Sequence, residues 1–217
     1  MKRGLKLLFV PVAIAVLLFL LYRHVSYRAG PLPPLKPRAE ISPQAVVRAA
    51  EALEGTLYDP LQGRLGNLGG RLGWIVCIDV PDIAYRRAGF SIKQMLAADF
   101  KIHPGAYDTR NGNNPASPFF HRRARNLYAY CRANGRLLPM SERPEPADVI
   151  FFKKPGQKTI THIALVIGPG GKEGCRMVEA APETVLTREP ALAGVEGRGW
   201  RPQGIGRLLG QPPGGAP

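Results

Sequence analysis

The stretch DVIFFKKPGQKTITHIALVIGPGGKEGCRMVEA, residues 148–180, decides the fold class. It contains three short runs that are rich in β-branched and aromatic residues and bounded by turn-forming residues: 148–153, 162–168 and 175–180. Runs of this length and composition predict β-strands. Gly168 to Gly171 begin the loop that would join the second and third strands as a hairpin, and a fourth strand is predicted near 205–209. The C-terminal half is therefore expected to form a small antiparallel sheet.

Helices are predicted before these strands. Ser42 followed by Pro43 is typical of an N-cap and a first helical position, and apolar residues with helical spacing continue towards Gly55. Three more runs have helical spacing: 77–88, 92–100 and 123–133. Helices first and strands afterwards predict an α+β domain, with N-terminal helices packed on a small antiparallel sheet.

The first 38 residues differ in composition from the rest. They carry half of the net charge of +14, and residues 7–22 form an apolar run between basic flanks. This pattern is typical of a targeting segment, either an uncleaved membrane anchor or a cleaved signal peptide. A single anchor before a globular remainder usually leaves that remainder outside the cytoplasmic membrane. We therefore expect a protein of the cell envelope, anchored in the membrane or secreted.

The expected organisation has four parts. Residues 1–28 form the anchor or signal segment, 29–41 a proline-rich linker, 42–210 one folded domain and 211–217 a disordered tail. The basic charge has no recognised nucleic-acid motif beside it, so nucleic acid is not expected as a partner. Anionic lipids and wall polymers outside the membrane explain the same charge.

Cys77 is the first candidate catalytic residue. Pro81 is tolerated in a helix only near its start, so it places Cys77 close to a helix N-terminus. A helix N-terminus and a nearby imidazolium both lower the pKa of a thiol, which favours the nucleophilic thiolate. Taken alone, however, a cysteine at a helix start is more often a small buried apolar residue. The other two cysteines, Cys131 and Cys175, could form a disulfide or remain two buried free thiols.

A base and an orienting group would complete such a site. Of the four histidines, His162 opens a strand, from which its side chain can project towards a helix end; the others are His24, His103 and His121. Symmetric closure of the hairpin places His162 opposite residue 180, or opposite Glu179 after a shift of one residue. Glu183 is the second choice. Taken singly, His162 and Glu179 could also be an ordinary polar residue and a surface carboxylate.

The strand segments resemble the NlpC-type cell-wall peptidases, a bacterial branch of the papain-like fold, over roughly residues 45–182. The segments are EPADVIFFKK at 145–154, THIALVIGPGG at 161–171 and CRMVEA at 175–180. In that group a catalytic histidine begins a strand and a third polar residue lies on the next strand. Cys77, His162 and Glu179 fall on the three catalytic positions. Further segments resemble an uncharacterised bacterial family of this superfamily: TLYDP at 56–60, CIDV at 77–80, AYRRAG at 84–89, Asp108-Thr109 and HRRARNL at 121–127.

The resemblance implies a papain-like catalytic domain that hydrolyses amide bonds, with peptidoglycan stem peptides as the expected substrate. It also implies a substrate-binding role for Tyr58, which could otherwise be a packing residue. A non-catalytic wall-peptide binder and a thiol acyltransferase are the alternatives. The residues after Cys77 are Ile78 and Asp79, where the better-known peptidases have Ser-Gly, so the substrate pocket is expected to differ. Ala147 replaces the usual glycine, which affects only a turn.

Three further expectations concern ligands. His121, Arg122 and Arg123 could bind an anionic group, because arginine binds carboxylates bidentately, or they could form a solvated helix start. Of these, His121 and Arg122 are the predicted substrate-binding residues. Asp79 could contact the site, but the favourable effect of a carboxylate in a first helical turn is a sufficient explanation for it. No metal or other cofactor is expected, since the sequence has no zinc motif and its cysteines are widely spaced. A monomer is expected.

Overall fold

The computed structural model describes residues 14–18, 31–62 and 73–211. The predicted membrane segment at 1–28 and the predicted tail at 211–217 thus lie almost entirely outside the described residues, and both stay predictions. Among the described residues, no helix combines the length and the apolar character needed to cross a membrane.

The α-helices from residue 31 onwards, in the described part of the chain, are α1 (Pro43–Glu51), α2 (Asp79–Arg87), α3 (Ile92–Ile102), α4 (Ala124–Ala133) and the short α5 (Leu192–Glu196). The four predicted helices are α1 to α4. The predicted N-cap is confirmed, because the Ser42 side chain accepts a hydrogen bond from the Ala45 N–H and Pro43 occupies the first helical position. The second predicted helix begins two residues later than expected, at Asp79, and Cys77 lies in the turn before it.

The strands form one antiparallel sheet in the order β1-β5-β2-β3-β4. Their bounds are β1 (Leu137–Leu138), β2 (Val149–Lys153), β3 (His162–Pro169), β4 (Cys175–Val178) and β5 (Arg201–Gly206). The hairpin of β3 and β4 is confirmed. The predicted fourth strand is present but begins earlier, at Arg201, and β1 was not predicted. Both errors have one cause: β5 reads Arg-Pro-Gln-Gly-Ile-Gly, and β1 has two residues, so neither carries the β-rich pattern of a strand.

The sheet separates two apolar clusters. Val149, Phe151 and Leu165 belong to the larger cluster, which also contains the buried side chains of α1 to α4. Ile150 and Phe152, which alternate with them along β2, belong to a smaller cluster that includes Val195 of α5 and Trp200. The predicted α+β class, with helices packed on a small antiparallel sheet, is confirmed.

The two remaining cysteines lie in different clusters. Cys131 of α4 is fully buried in the larger cluster, and Cys175 of β4 is buried in the smaller one. Because the sheet lies between these clusters, the two sulfurs cannot meet. Both are free thiols, so the disulfide alternative is wrong.

The proline-rich segment that precedes α1 lies against the domain. The Lys36 N–H donates to the Gly89 carbonyl at 2.8 Å, and Arg86 donates to the Pro33 carbonyl at 2.7 Å. Arg38 donates to the Tyr130 hydroxyl at 2.6 Å. The chain is thus fixed to α2 and α4 from about residue 33 onwards, which shortens the distance that a linker could span.

Candidate active site

The turn before α2 holds Cys77 in place. The Asp79 N–H donates to the Val76 carbonyl at 2.9 Å, and the Asp79 carboxylate accepts the Val76 N–H at the same distance. Pro81 is the third residue of α2, where its missing N–H leaves no hydrogen bond unmade. Cys77 is half-buried, and it is the least buried of the three cysteines. Its thiol is therefore fixed at a helix start and reachable from solvent.

Arg122 holds this turn from the other side. Its Nε donates to Asp79 Oδ1 at 2.7 Å and its Nη2 to Asp79 Oδ2 at 2.6 Å, a bidentate pair between two mostly buried side chains. The sequence explained Asp79 by the helix dipole alone, and the structure adds this ion pair. The carboxylate that Arg122 binds in the structure thus comes from its own chain, and a role in binding substrate stays a prediction.

We predict that Asp79→Asn lowers the free energy of unfolding by about 1–3 kcal/mol, because the substitution leaves a partly buried guanidinium without its charged partner. Denaturant unfolding measures the change. Asp82→Asn is the matched control: Asp82 lies in the same first turn, and its Oδ2 lies 3.9 Å from Nε2 of the neutral His121 ring. Burial raises the pKa of Asp82 to about 7, so both variants are compared above that pH. Equal losses in both variants would mean that the helix dipole, and not the Arg122 pair, explains Asp79.

His162 and Glu179 form a buried pair. His162 Nε2 lies 2.7 Å from Glu179 Oε2, and the two side chains are 2% and 0% exposed. The other Glu179 oxygen accepts a hydrogen bond from Arg198 and lies 3.6 Å from Arg188 Nε. Because Nε2 is bound to Glu179, Nδ1 is the ring nitrogen left to exchange a proton with a thiol. Glu179 thus fixes both the orientation and the tautomer of the imidazole.

The beginning of β3 brings this pair to Cys77. Cys77 Sγ lies 3.9 Å from the carbonyl oxygen of Thr161, the residue before His162. The His162 ring stacks at 4.6 Å between centroids against Trp200, which is 5% exposed. Burial by itself would lower the pKa of His162, but hydrogen bonds to Cys77 and Glu179 outweigh it and raise the pKa to about 9. The imidazole therefore carries a proton at neutral pH.

This raised pKa predicts how stability depends on pH. The folded state holds the His162 proton up to about pH 9, whereas the unfolded chain releases it near 6.5. The stabilisation is complete below pH 6.5 and is lost as the pH rises towards 9, by at most about 3 kcal/mol. Denaturant unfolding between pH 6.5 and 8.5 measures the loss. The decline should vanish in His162→Gln; an equal decline in that variant would contradict the assignment to His162.

The contact between His162 and Glu179 arises from a register slightly different from the predicted one. Leu165 pairs with Val178, and continuing that ladder places Glu179 opposite Ala164. Glu179 is therefore a diagonal neighbour of His162 on the same face of the sheet. Glu183, the second choice, pairs instead with Lys154 at 2.8 Å.

A cleft of about 700 Å³ opens beside these residues. Cys77, His162 and Tyr58 all line it, as do Arg122 and Trp200. Burial raises the pKa of Tyr58, and the charge of Cys77 raises it further, so the phenol is neutral and close to the thiol. The structure thus places Tyr58 where a bound substrate would contact it, and its binding role stays a prediction.

His121 does not line the cleft with the other predicted substrate-binding residues of the described chain. Its Nε2 lies 3.9 Å from Asp82 Oδ2. Burial lowers the pKa of His121 to about 4, so the ring is neutral at neutral pH. A neutral imidazole attracts an anionic group only weakly, which gives the predicted role of His121 no electrostatic support.

The sequence reasoning missed Arg198 and Trp200. Both belong to the turn between α5 and β5, Arg198 against Glu179 and Trp200 against His162. The weak pattern of β5 concealed this segment. Among the described residues, no three histidine, cysteine or carboxylate side chains come together as a metal site would require.

Several solved structures are similar to this chain. NlpC1 from Trichomonas vaginalis is 15% identical with a TM-score of 0.48, and the match covers 80% of this chain and 48% of that one. NlpC2 from the same organism is 14% identical with a TM-score of 0.44, covering 76% and 46%. An NlpC/P60 family protein from Bacillus cereus is 13% identical with a TM-score of 0.46, covering 81% and 44%. The chain therefore spans less than half the length of each of these proteins.

No curated protein matches the chain. A family model described as a domain of unknown function, DUF1287, matches residues 66–198. This range is more than half of the chain, and it includes Cys77, His162 and Glu179. The chain belongs to the DUF1287 family.

Proposed function

We propose that this protein is a thiol hydrolase that cleaves amide bonds, with Cys77 as nucleophile, His162 as acid and base, and Glu179 as the residue that orients His162. The observation that carries the proposal is the joint placement of these side chains. A half-buried thiol at a helix start faces an imidazole whose other nitrogen lies 2.7 Å from a fully buried carboxylate. Nucleophile, base and orienting group in this order are the requirements of covalent acyl transfer.

The first half of the reaction uses the proton that His162 holds. An imidazolium beside the sulfur stabilises the thiolate, which attacks the carbonyl carbon of the amide and forms a tetrahedral intermediate. The backbone N–H of Cys77 would donate a hydrogen bond to the oxygen that becomes negative. His162 Nδ1 then passes its proton to the leaving nitrogen. The C–N bond breaks, an amine departs and a thioester remains on Cys77.

The second half returns the enzyme to its starting state. The now neutral imidazole takes a proton from water, and the resulting hydroxide attacks the thioester carbon. The C–S bond breaks, and the product leaves as a carboxylic acid. Throughout, the carboxylate of Glu179 stabilises the imidazolium, and Arg198 holds that carboxylate ionised.

The proposed substrate is an amide bond in peptidoglycan stem peptides, and the proposed place of action is the cell envelope, with residues 1–28 as membrane anchor or export signal. The resemblance to NlpC-type peptidases and the apolar run at 7–22 support both proposals. The packing of residues 33–36 against Arg86 and Gly89 supports a short connection between the proposed anchor and the domain.

The test is digestion of purified peptidoglycan by the full chain, with the soluble fragments analysed by mass. Each cleaved amide adds one water, so we expect fragments 18 mass units heavier in total than the intact peptide and one new amine for each new carboxylate. Cys77→Ser should release none of these fragments. Iodoacetamide labelling and circular dichroism should show that the variant is folded and lacks only this thiol.

Two results would overturn the proposal. Hydrolysis by Cys77→Ser at the wild-type rate would exclude the thiol mechanism. Binding of stem peptides without any cleavage, by a wild-type chain whose Cys77 is reduced, would favour the non-catalytic binder.

A further inference from the structure

We infer that Arg123 and Arg125 form a subsite for a carboxylate of the acyl substrate, next to the thiol in the same cleft. This inference rests on the proposed function and adds the class of substrate. Both arginines line the cleft that contains Cys77 and His162. They belong to the start of α4, Arg123 as its N-cap residue and Arg125 in its first turn.

The charged side chains that line the cleft are all basic, among the described residues. Three arginines line it, at positions 122, 123 and 125, and no aspartate or glutamate of the described chain does so. Of the three, Arg122 is bound bidentately to Asp79 at 2.6 and 2.7 Å. Its guanidinium is therefore already engaged, whereas the other two retain hydrogen-bonding capacity.

Arg123 forms no ion pair with any carboxylate among the residues that the structure describes. Partial burial lowers its pKa and the positive charge of Arg125 lowers it further, whereas the carboxylate of Asp108, which is held by Arg110, offsets only part of this effect. Two guanidinium groups that repel each other gain most when an anion comes between them. A bound carboxylate would relieve this repulsion and satisfy both fork-shaped donors.

Arg125 has a donor to offer as well. Its Nε is buried and has no hydrogen-bond partner within the described part of the chain. Its one carboxylate neighbour, Asp108, is 3.9 Å from Nη1 and is already held by Arg110 at 2.8 Å. The Arg125 side chain is 31% exposed and lines the cleft, so its accessible part, and not the buried Nε, is what a ligand could contact.

The other polar residues of the cleft fit the same substrate class. Gln157, Thr159 and Thr161 are neutral and can hydrogen bond to peptide groups. In a peptide that bears a free carboxylate near its scissile amide, the backbone would contact these neutral side chains and the carboxylate would contact the two arginines. The substrate would then be an acidic peptide and not a neutral or basic one.

Two alkylating reagents of nearly equal size test the subsite without any substrate. In both reactions the Cys77 sulfur displaces iodide from carbon, but iodoacetate carries a carboxylate where iodoacetamide carries a neutral amide. The rate of each reaction at Cys77 is measured on the full chain by mass analysis of the peptide that contains residue 77. The ratio of the two rates, acid to amide, then reports the affinity of the site for a carboxylate.

We expect the ratio to fall by about fivefold or more in Arg123→Gln and in Arg125→Gln, because each variant loses a charge-assisted hydrogen bond. Arg123→Lys keeps the charge and should recover part of the ratio. Arg132→Gln is the matched control, since Arg132 is an exposed residue in the last turn of the same helix. The ratio is formed within each variant, so a change in thiol reactivity that affects both reagents cancels.

An unchanged ratio in both glutamine variants would overturn the subsite. The result also separates this inference from the proposed function, because alkylation does not need hydrolysis. Arginine-dependent ratios in a chain that cleaves no wall peptide would leave the subsite standing and reject the hydrolase. In a chain that does cleave, Arg123→Gln should raise KM for fragments with a free carboxylate and leave KM for their carboxamide forms unchanged.

Discussion

Replacement of His162 by glutamine should lower amide hydrolysis by about a thousandfold or more, the largest effect expected of any variant that retains the thiol. Glutamine keeps a hydrogen bond to Glu179 but can neither accept nor donate the proton that the reaction moves. The pKa of His162 is raised to about 9, so in the wild-type chain this ring holds, at neutral pH, the proton that is passed to the leaving nitrogen. No other described histidine contacts Glu179 and could take over.

The same variant should slow alkylation of Cys77 by iodoacetamide about tenfold at pH 7, because an imidazolium no longer stabilises the thiolate. This second measurement needs no substrate. His103→Gln is the matched control: His103 Nδ1 lies 2.9 Å from Asp99 Oδ1, and the side chain is 41% exposed. It should change neither rate.

Two outcomes are informative in opposite ways. Slow alkylation of wild-type Cys77, equal to that of His162→Gln, would mean that the pair does not activate the thiol and would favour a binding module. Fast alkylation combined with no hydrolysis of wall peptides would leave the activated thiol intact and reject the proposed substrate.

The local pattern of the sequence was sufficient for most of the fold. Helical spacing, the Ser42-Pro43 start and the β-rich runs at 148–180 predicted α1 to α4 and β2 to β4, since each of these elements has a periodic apolar face or a strong composition. β5 was shifted and β1 was missed. These two strands form because each pairs with a neighbouring strand of the sheet. Strand pairing joins residues far apart in the chain, so local composition does not predict it.

The candidate site could be predicted in part, because local sequence features position two of its residues. Pro81 placed Cys77 near a helix start because a proline restricts the backbone locally. Glu179 could be nominated because a hairpin fixes register, although a bulge between Val166 and Gly168 changes the pairing along the ladder. Errors of one residue were expected there, and the diagonal contact still joins Glu179 to His162.

The ionic partners could not be predicted. Arg122 lies 43 residues from Asp79, and Arg198 lies 19 residues from Glu179. The members of each pair belong to different elements or turns, so no local periodicity relates them. Such contacts depend on how whole elements pack, so only the folded chain reveals them. They matter for the site because one pair fixes the turn that carries Cys77, and the other fixes the carboxylate that orients His162.

Removal of the Glu179 carboxylate is the second large effect that we expect. Glu179→Ala should lower the free energy of unfolding by about 3–5 kcal/mol, because it leaves an imidazolium and the Arg198 guanidinium without their shared buried partner. Glu183→Gln is the matched control. Glu183 is 34% exposed, pairs with Lys154 at 2.8 Å and lies 4.0 Å from Arg198, so its loss from this exposed position should cost about 1 kcal/mol or less.

Glu179→Gln separates the charge of this residue from its shape. The amide preserves the packing but no longer stabilises the imidazolium, so the pKa of His162 should fall from about 9 towards its ordinary value. The loss of stability between pH 6.5 and 9 should shrink accordingly. Hydrolysis should fall by about a hundredfold or more, because the tautomer that places a proton acceptor towards Cys77 is no longer fixed.

Arg198 then provides the decisive comparison, since it touches neither the thiol nor the imidazole. Arg198→Gln should lower the pKa of His162 less than Glu179→Gln does, and the double variant should lose less stability than the two single losses added together. NMR titration of the His162 ring and denaturant unfolding measure the two quantities. Strict additivity would mean that Arg198 and Glu179 act independently, and the positioning role of Arg198 in the site would be wrong.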